Sequence, residues 1–341
     1  MTPRTMRAAI AEKVGDPLIV REIAVPEPGA GQILVRIVAS GVCHTDIHGI
    51  NGDWPLKPRF PIIPGHEACG YVVAAGPGVR APKEGDRVGI SWLNGTCGDC
   101  EYCLTTRENL CLGQQNSGYS VNGTFAEYAL VAADYAIQLP SGDLEKFAPI
   151  LCAGLTTYRG LKETGAKRGE TVLISGVGGI GHLAVQYAKA MGFHVVAIDI
   201  DDEKLAQACA LGADMAINAA KEFPINRVKR AFGGVHGALI TAVAPDAFRQ
   251  GIAMLRRGGT CVLVGIPPGT FPFSIFDTVT KGLTIRGSIV GTRQDVHEAL
   301  QFVDDGKVAA VIERRPLEQV NDVIAEIQTG RIKARAVLCM S

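Results

Sequence analysis

The chain has no surplus of charge. Over 341 residues, 34 Lys+Arg stand against 34 Asp+Glu, with no long block of one sign. Binding along a nucleic acid or on an anionic membrane needs a basic footprint, so neither is expected as the main task. Long hydrophobic runs are also missing. Apolar segments such as Ala148 to Leu155 fall far short of the roughly 20 residues that span a bilayer, so no transmembrane helix is expected. The N-terminal Met-Thr-Pro-Arg-Thr-Met-Arg lacks the apolar stretch of a signal peptide, which makes the cytoplasm the expected compartment.

What is present is enough for packed cores: 47% hydrophobic and 6% aromatic residues, far from a disordered composition. The length is about twice the usual domain of roughly 150 residues, so two domains are expected. Ten Cys remain to be explained. A reducing compartment disfavours disulfides, which leaves metal ligation or buried small thiols.

Along the chain, the first 150 or so residues are rich in Gly and Pro. They carry short strand-like runs at Gln32 to Val38, Tyr71 to Ala75 and Phe125 to Val131, an irregular β-rich pattern. From Thr171 the pattern becomes strand (Thr171 to Val177), Ala-rich helix (Gly179 to Met191), strand (His194 to Ile200), the mark of parallel βαβ construction. Further strands are expected at Met215 to Asn218, Ala238 to Val243, Thr260 to Ile266 and Leu283 to Val290. Six strands in this order suggest a doubly wound α/β sheet with its ligand at the carboxyl ends. Helices near Gln294 to Asp304 and Leu317 to Gln328 and a strand at Ala334 to Met340 close the chain. No internal repeat or low-complexity segment is found.

Three motifs carry chemistry. The first is Gly176-Val-Gly178-Gly179-Ile180-Gly181, directly after the apolar strand and opening a helix. There the glycines allow a tight turn and close approach of a pyrophosphate to the helix N-terminus. Asp199 ends the next strand, 18 residues after Gly181, where an acid accepts from ribose hydroxyls and repels a 2′-phosphate; NAD is favoured over NADP. Lys204 stands where it touches the adenosine half or is simply a solvated helix lysine.

The second motif is Cys97, Cys100, Cys103 and Cys111, spaced Cys-x2-Cys-x2-Cys-x7-Cys. Four thiolates so dense suit a closed tetrahedral zinc site, structural rather than catalytic. An iron–sulfur cluster is the rival metal, but the fourth Cys of that motif follows three residues later with a Pro, unlike Cys111. Free core thiols are the other reading.

The third is a scattered set: Cys43 to His48, Gly65-His66-Glu67, and Cys152 within Leu151 to Gly154. Three N/S ligands with one open position are what a catalytic zinc requires. Taken singly, Cys152 reads as a core thiol, His66 as a turn histidine and Glu67 as a surface acid, and spacing alone does not join them.

Gly41 to His48, Pro64 to Glu67, the four-Cys lobe, Leu151 to Gly154 and Gly176 to Gly181 together resemble the zinc-dependent medium-chain alcohol dehydrogenases. The likeness runs in register over nearly the whole chain and is nearest the NAD-dependent microbial branch. It implies a β-rich GroES-like catalytic domain from residues 1–152 and 292–341, and a Rossmann NAD-binding domain from 153–291. It also implies two zinc ions per chain. Cys43, His66 and Cys152 become ligands of the catalytic ion, with Glu67 beside it, and Asp46 holds the second nitrogen of His66.

The resemblance further implies that zinc-activated alkoxide passes hydride to nicotinamide, while its proton leaves through Thr45 and His48. His44 faces the cofactor pyrophosphate and Arg293 adds a second contact; Val264 joins the cofactor residues. Trp54 and Trp92 wall the alcohol pocket, with Ile266 as its inner wall, although each Trp also reads as an ordinary core residue. The expected substrates are small, mainly primary alcohols and their aldehydes. Polyol relatives usually carry Glu where this chain has Cys152, and a non-catalytic dinucleotide-binding protein would have lost the ligands or the relay. Members of this branch are usually homo-tetramers.

Overall fold

The computed structural model describes residues 2–267 and 269–340. The chain forms two units: Met1–Cys152 with Thr292–Leu300 and Ala310–Ser341, and Ala153–Gly291 with Gln301–Ala309.

The first unit begins with an antiparallel ribbon of β1 (Thr5–Ile10) and β2 (Ile19–Ala24). Its spine is β3 (Gln32–Gly41), apolar and buried over most of its length with Arg36 exposed. Helix α1 (His44–Asn51) follows at once. Then come β4 (Ala68–Ala75), β5 (Arg87–Ile90), β6 (Leu93–Gly95), the single-turn α2 (Glu101–Leu104) and β7 (Gln115–Asn116). β8 (Tyr128–Ala132), β9 (Ile137–Gln138) and α3 (Leu144–Phe147) complete this stretch. β3 pairs antiparallel with both β4 and β8, and Ile33, Val35, Ile37, Val72 and Val131 fill one core against them.

The second unit runs α4 (Ala153–Glu163), β10 (Thr171–Ser175), α5 (Gly181–Ala190), β11 (His194–Asp199), α6 (Asp202–Ala210) and β12 (Met215–Asn218). It continues with α7 (Pro224–Phe232), β13 (Val235–Ile240), α8 (Pro245–Met254), β14 (Leu255–Leu263), α9 (Ile275–Lys281) and β15 (Thr284–Gly287). The six strands pair in parallel in the order β12-β11-β10-β13-β14-β15. This is the doubly wound sheet expected from the alternating pattern. All five residues of β10 are buried, as a parallel strand covered on both faces requires. Each buried Val, Leu or Ile there contributes roughly 1.5–3 kcal/mol. The strand order reverses between β10 and β13, so the glycine loop leaving β10 sits at the switch point where such sheets bind ligands.

Several boundaries differ from the sequence pattern, among them the strand expected at Ala238 to Val243, which runs Val235–Ile240. The helix expected from Gly179 starts at Gly181. β14 begins at Leu255 rather than Thr260, because it pairs with β13 across a register shift between Val235 and Gly237. The strand expected over Leu283 to Val290 stops at Gly287, and Val290 stands at φ 45°, a left-handed conformation that ends strand pairing.

Helix α10 (Arg293–Asp304) leads into residues 301–309, which join the second unit: Phe302 lies 5.7 Å from the Tyr158 ring, and Gln186 bonds Ala309 through both its amide atoms. β16 (Ile312–Pro316), α11 (Val320–Gln328) and β17 (Arg335–Cys339) return to the first unit. There the seven-stranded sheet has the order β16-β17-β3-β4-β5-β9, with β8 on β3. Among the described residues no helix is long and apolar enough to cross a membrane.

Candidate active site

Helix α1 opens where β3 ends, and its cap builds the site. Cys43 is the N-cap residue, and Asp46 closes a reciprocal capping box by accepting the Cys43 backbone N–H through Oδ2 at 2.9 Å. The same carboxylate turns Oδ1 to the Gly65 N–H at 3.1 Å and to His66 Nδ1 at 2.8 Å. A short helix is marginal alone. Here Ile47 and Ile50 are buried beneath it, and Gly52, at φ 65°, ends it in a left-handed cap.

With Nδ1 bound to Asp46, the imidazole presents Nε2 to the other side, 3.3 Å from Cys152 Sγ. Cys43, His66, Glu67 and Cys152 are all buried, and one ligand atom from each lies within 4.8 Å of the others. Burial alone would lower the pKa of His66; the Asp46 charge and hydrogen bond, then Cys43, outweigh it and hold the imidazole well above its ordinary value. Cys43 takes a hydrogen bond from Cys152, faces His66 and Arg335, and ionises well below an ordinary thiol. The hydrogen bond to Cys43, then burial and the Cys43 charge, push Cys152 up in turn.

Glu67 immediately precedes β4. Burial raises its pKa and Arg335 pulls it back, leaving it at about 7. One carboxylate oxygen is bound by Arg335, while Oε2 is buried without a hydrogen-bond partner. Gly41 makes the room: a Cβ there would collide with Oε2. An orphaned carboxylate oxygen beside two thiols and an imidazole is a donor set that fits a cation, and its N/S character fits zinc. Arg335, buried at the head of β17, escaped sequence reasoning. The available signal was a lone arginine opening the apolar strand Arg-Ala-Val-Leu-Cys, since a buried charge needs a partner.

Around this cluster runs a line of aromatic rings. His66 meets Trp92 edge-on at 5.3 Å; Trp92 and Trp54 lie 5.5 and 5.8 Å from Tyr119; Trp54 lies 5.3 Å from His48. His48 is half-buried, and its Nδ1 pairs with Asp53 at 2.8 Å. Thr45 is half-buried and His44 exposed in the first turn of α1. Tyr119 and Asp53 were not singled out from sequence. Ile266 belongs to the second unit and is 53% exposed.

The four-Cys lobe is drawn together as its spacing suggested. Sulfur separations are 3.5 Å for Cys97–Cys111, 3.5 Å for Cys100–Cys103 and 3.9 Å for Cys97–Cys103, too long for disulfides. All ten cysteines are free thiols. Thr96 bonds Cys103 Sγ at 3.2 Å and lowers that thiol to about 7. Glu108, buried in the same lobe, accepts the Arg293 backbone N–H at 2.8 Å, and the Arg293 guanidinium lies 4.7 Å over the Tyr135 ring with NH1 3.2 Å from the Asp134 carbonyl. Arg293 is thus engaged within its own unit, with its side chain still 48% exposed.

In the second unit Gly176 sits at φ 93°, where a side chain would be strained. A Cβ on Gly181 would overlap the Gly176 carbonyl oxygen, whereas one on Gly178 would meet nothing within 4 Å. The loop is closed on itself at Gly181 and open at Gly178, the cradle that a pyrophosphate needs before the N-terminus of α5. Ile180 caps that helix and Gly179 lies beside it. Asp199 accepts the Val177 N–H at 2.7 Å through one oxygen and the Ile200 N–H at 2.7 Å through the other. Lys204 is half-buried in the first turn of α6, and the Val264 N–H bonds the Ile240 carbonyl at 3.1 Å.

Comparison with known proteins places these sites in context. Residues 29–141 match the alcohol dehydrogenase GroES-like domain family, and residues 179–305 match the zinc-binding dehydrogenase family. An alcohol dehydrogenase of Moraxella sp. is 54% identical over 334 residues, covering 98% of this chain and 99% of the relative. The solved alcohol dehydrogenase of the archaeon Aeropyrum pernix superposes with a TM-score of 0.90 at 32% identity, covering 98% and 99% of the two chains. An acetophenone reductase of Geotrichum candidum, solved in complex with NAD, gives 0.89 at 28% identity over 99% and 98%.

Proposed function

We propose a function on the premise that follows from these likenesses: the chain belongs to the zinc-dependent medium-chain alcohol dehydrogenase family. It is an oxidoreductase that interconverts small, mainly primary alcohols and their aldehydes with NAD as hydride acceptor. The observation that carries this reading is the buried convergence of Cys43, His66, Cys152 and Glu67.

Cys43, His66 and Cys152 would hold the catalytic zinc, and Cys97, Cys100, Cys103 and Cys111 a structural one. Bound there, zinc supplies Lewis acidity that eases loss of a hydroxyl proton, as it takes bound water from about 15.7 to about 7, and NAD supplies the hydride acceptor. The remaining work belongs to the chain. Asp46 fixes the ring orientation and basicity of His66. Arg335 balances the Glu67 carboxylate through one oxygen and leaves Oε2 without a hydrogen-bond partner. Thr45 would accept the alcohol proton as its hydroxyl passes its own on, and His48, half-buried and paired with Asp53, would release a proton to solvent. Trp54 and Trp92 would wall the alcohol pocket beside the ligand set.

The glycine loop from Gly176 to Gly181 would cradle the pyrophosphate. Lys204 and Val264 border the cofactor. The Asp199 carboxylate accepts from the ribose hydroxyls and repels a 2′-phosphate, favouring NAD over NADP.

Metal content tests the reading. Mass spectrometry of the purified protein should give two zinc ions per chain, and Cys43→Ser should give one. Fewer than two in the unsubstituted protein would overturn it.

A further inference from the structure

We propose that Tyr119 is a specificity-determining residue: its ring is a wedge that holds Trp54 and Trp92 apart and so sets the width of the alcohol pocket. The inference rests on the alcohol-oxidising reading above and adds to it a residue with no place in the ligand set or the relay.

Tyr119 follows β7 in a turn where Gly118 takes φ 72° and the Tyr119 N–H bonds the Asn116 carbonyl at 3.1 Å. The turn aims the ring at α1, where Gly49 leaves a groove; a Cβ on Gly49 would stand 3.3 Å from Tyr119 Cδ2. The hydroxyl donates to the Leu56 carbonyl, in the loop that carries Trp54. Both indoles then lie against the same phenol ring, Trp92 tilted 51° and Trp54 tilted 45° to it, at separations where tilted rings attract. One residue therefore ties α1, the Trp54 loop and Trp92 together. The two indoles reach on to His66 and His48 respectively, so a change in their spacing changes the space beside the metal ligands.

The sequence offers an unusual probe, because Trp54 and Trp92 are its only two tryptophans. Intrinsic indole emission reports on this cluster alone. A methylene more or less in an apolar pocket changes discrimination by about 10–200-fold, and removing a phenol ring frees more room than a methylene.

The test compares unsubstituted protein, Tyr119→Phe and Tyr119→Ala, each carrying its zinc, at saturating NAD. The expected result is that Tyr119→Ala raises kcat/KM for hexanol relative to ethanol by about tenfold or more and changes the emission maximum. Tyr119→Phe, which keeps the ring, should hold the ratio within about twofold. If Tyr119→Ala folds poorly, Tyr119→Leu reports the same ratio. A ratio unchanged on loss of the ring overturns the proposal. Should no alcohol yield NADH in the unsubstituted protein, it is the function that fails. Emission then decides the wedge: a changed maximum in Tyr119→Ala supports it and an unchanged one overturns it.

Discussion

Asp46 serves a helix cap, a loop and an imidazole with two oxygens, and all three of its partners are donors: the N–H groups of Cys43 and Gly65 and the Nδ1 of His66. Asn in its place keeps the shape but turns an amide NH2 toward a donor. Asp46→Asn is expected to weaken zinc binding about 10–100-fold, as loss of an outer partner of a ligating His does, measured by competition with a chromophoric chelator. Unchanged affinity would show that the carboxylate serves only the fold. The clustering of Cys43, His66, Glu67 and Cys152 was legible only through resemblance, since spacing cannot bring Cys152 to His66 across 86 positions. Arg335, 268 positions from Glu67, had no such guide, and its reach into the site depends on β17 pairing with β3.

At the scale of elements, the two glycines of the α5 loop separate a steric role from a binding one. Gly181→Ala forces the loop open against the Gly176 carbonyl and should lower both the melting temperature and NAD affinity. Gly178→Ala meets no protein atom and should leave the melting temperature unchanged while weakening NAD binding. Calorimetry and NAD titration on the same two variants check this; equal effects on both quantities from both variants would contradict it. The edge of β11 offers a pH test. Burial works against the Asp214 charge, but the Val195 N–H at 2.7 Å and Lys189 at 2.9 Å outweigh it and hold this carboxyl below its ordinary value. A depressed acid stabilises the fold above its unfolded pKa, and that contribution is lost as pH falls through the folded one. Asp214→Asn should therefore lower the urea midpoint at pH 7, with the difference from the parent shrinking toward pH 3; a pH-independent difference would show that the charge is not responsible. Apolar runs such as β10 were legible because both faces are buried. The end of β15 was not, because Ile289 and Val290 read as strand formers while their backbone leaves the sheet.

For the whole molecule, the two clusters account for six of the ten thiols. Cys69 and Cys261 are buried, with burial raising both pKa values, while Cys209 is exposed and Cys339 half-buried. Zero net charge calls for no polyanionic partner, in keeping with the proposed oxidation of a small neutral alcohol. That central claim is tested most directly by NADH formation from NAD over a panel of ethanol, longer primary, secondary, aromatic and polyol substrates, with zinc-loaded protein and Cys43→Ser side by side. The expected result is NADH growth with the parent, fastest on short primary alcohols, and none with Cys43→Ser. A parent that carries both zinc ions and stays flat with every alcohol would contradict it.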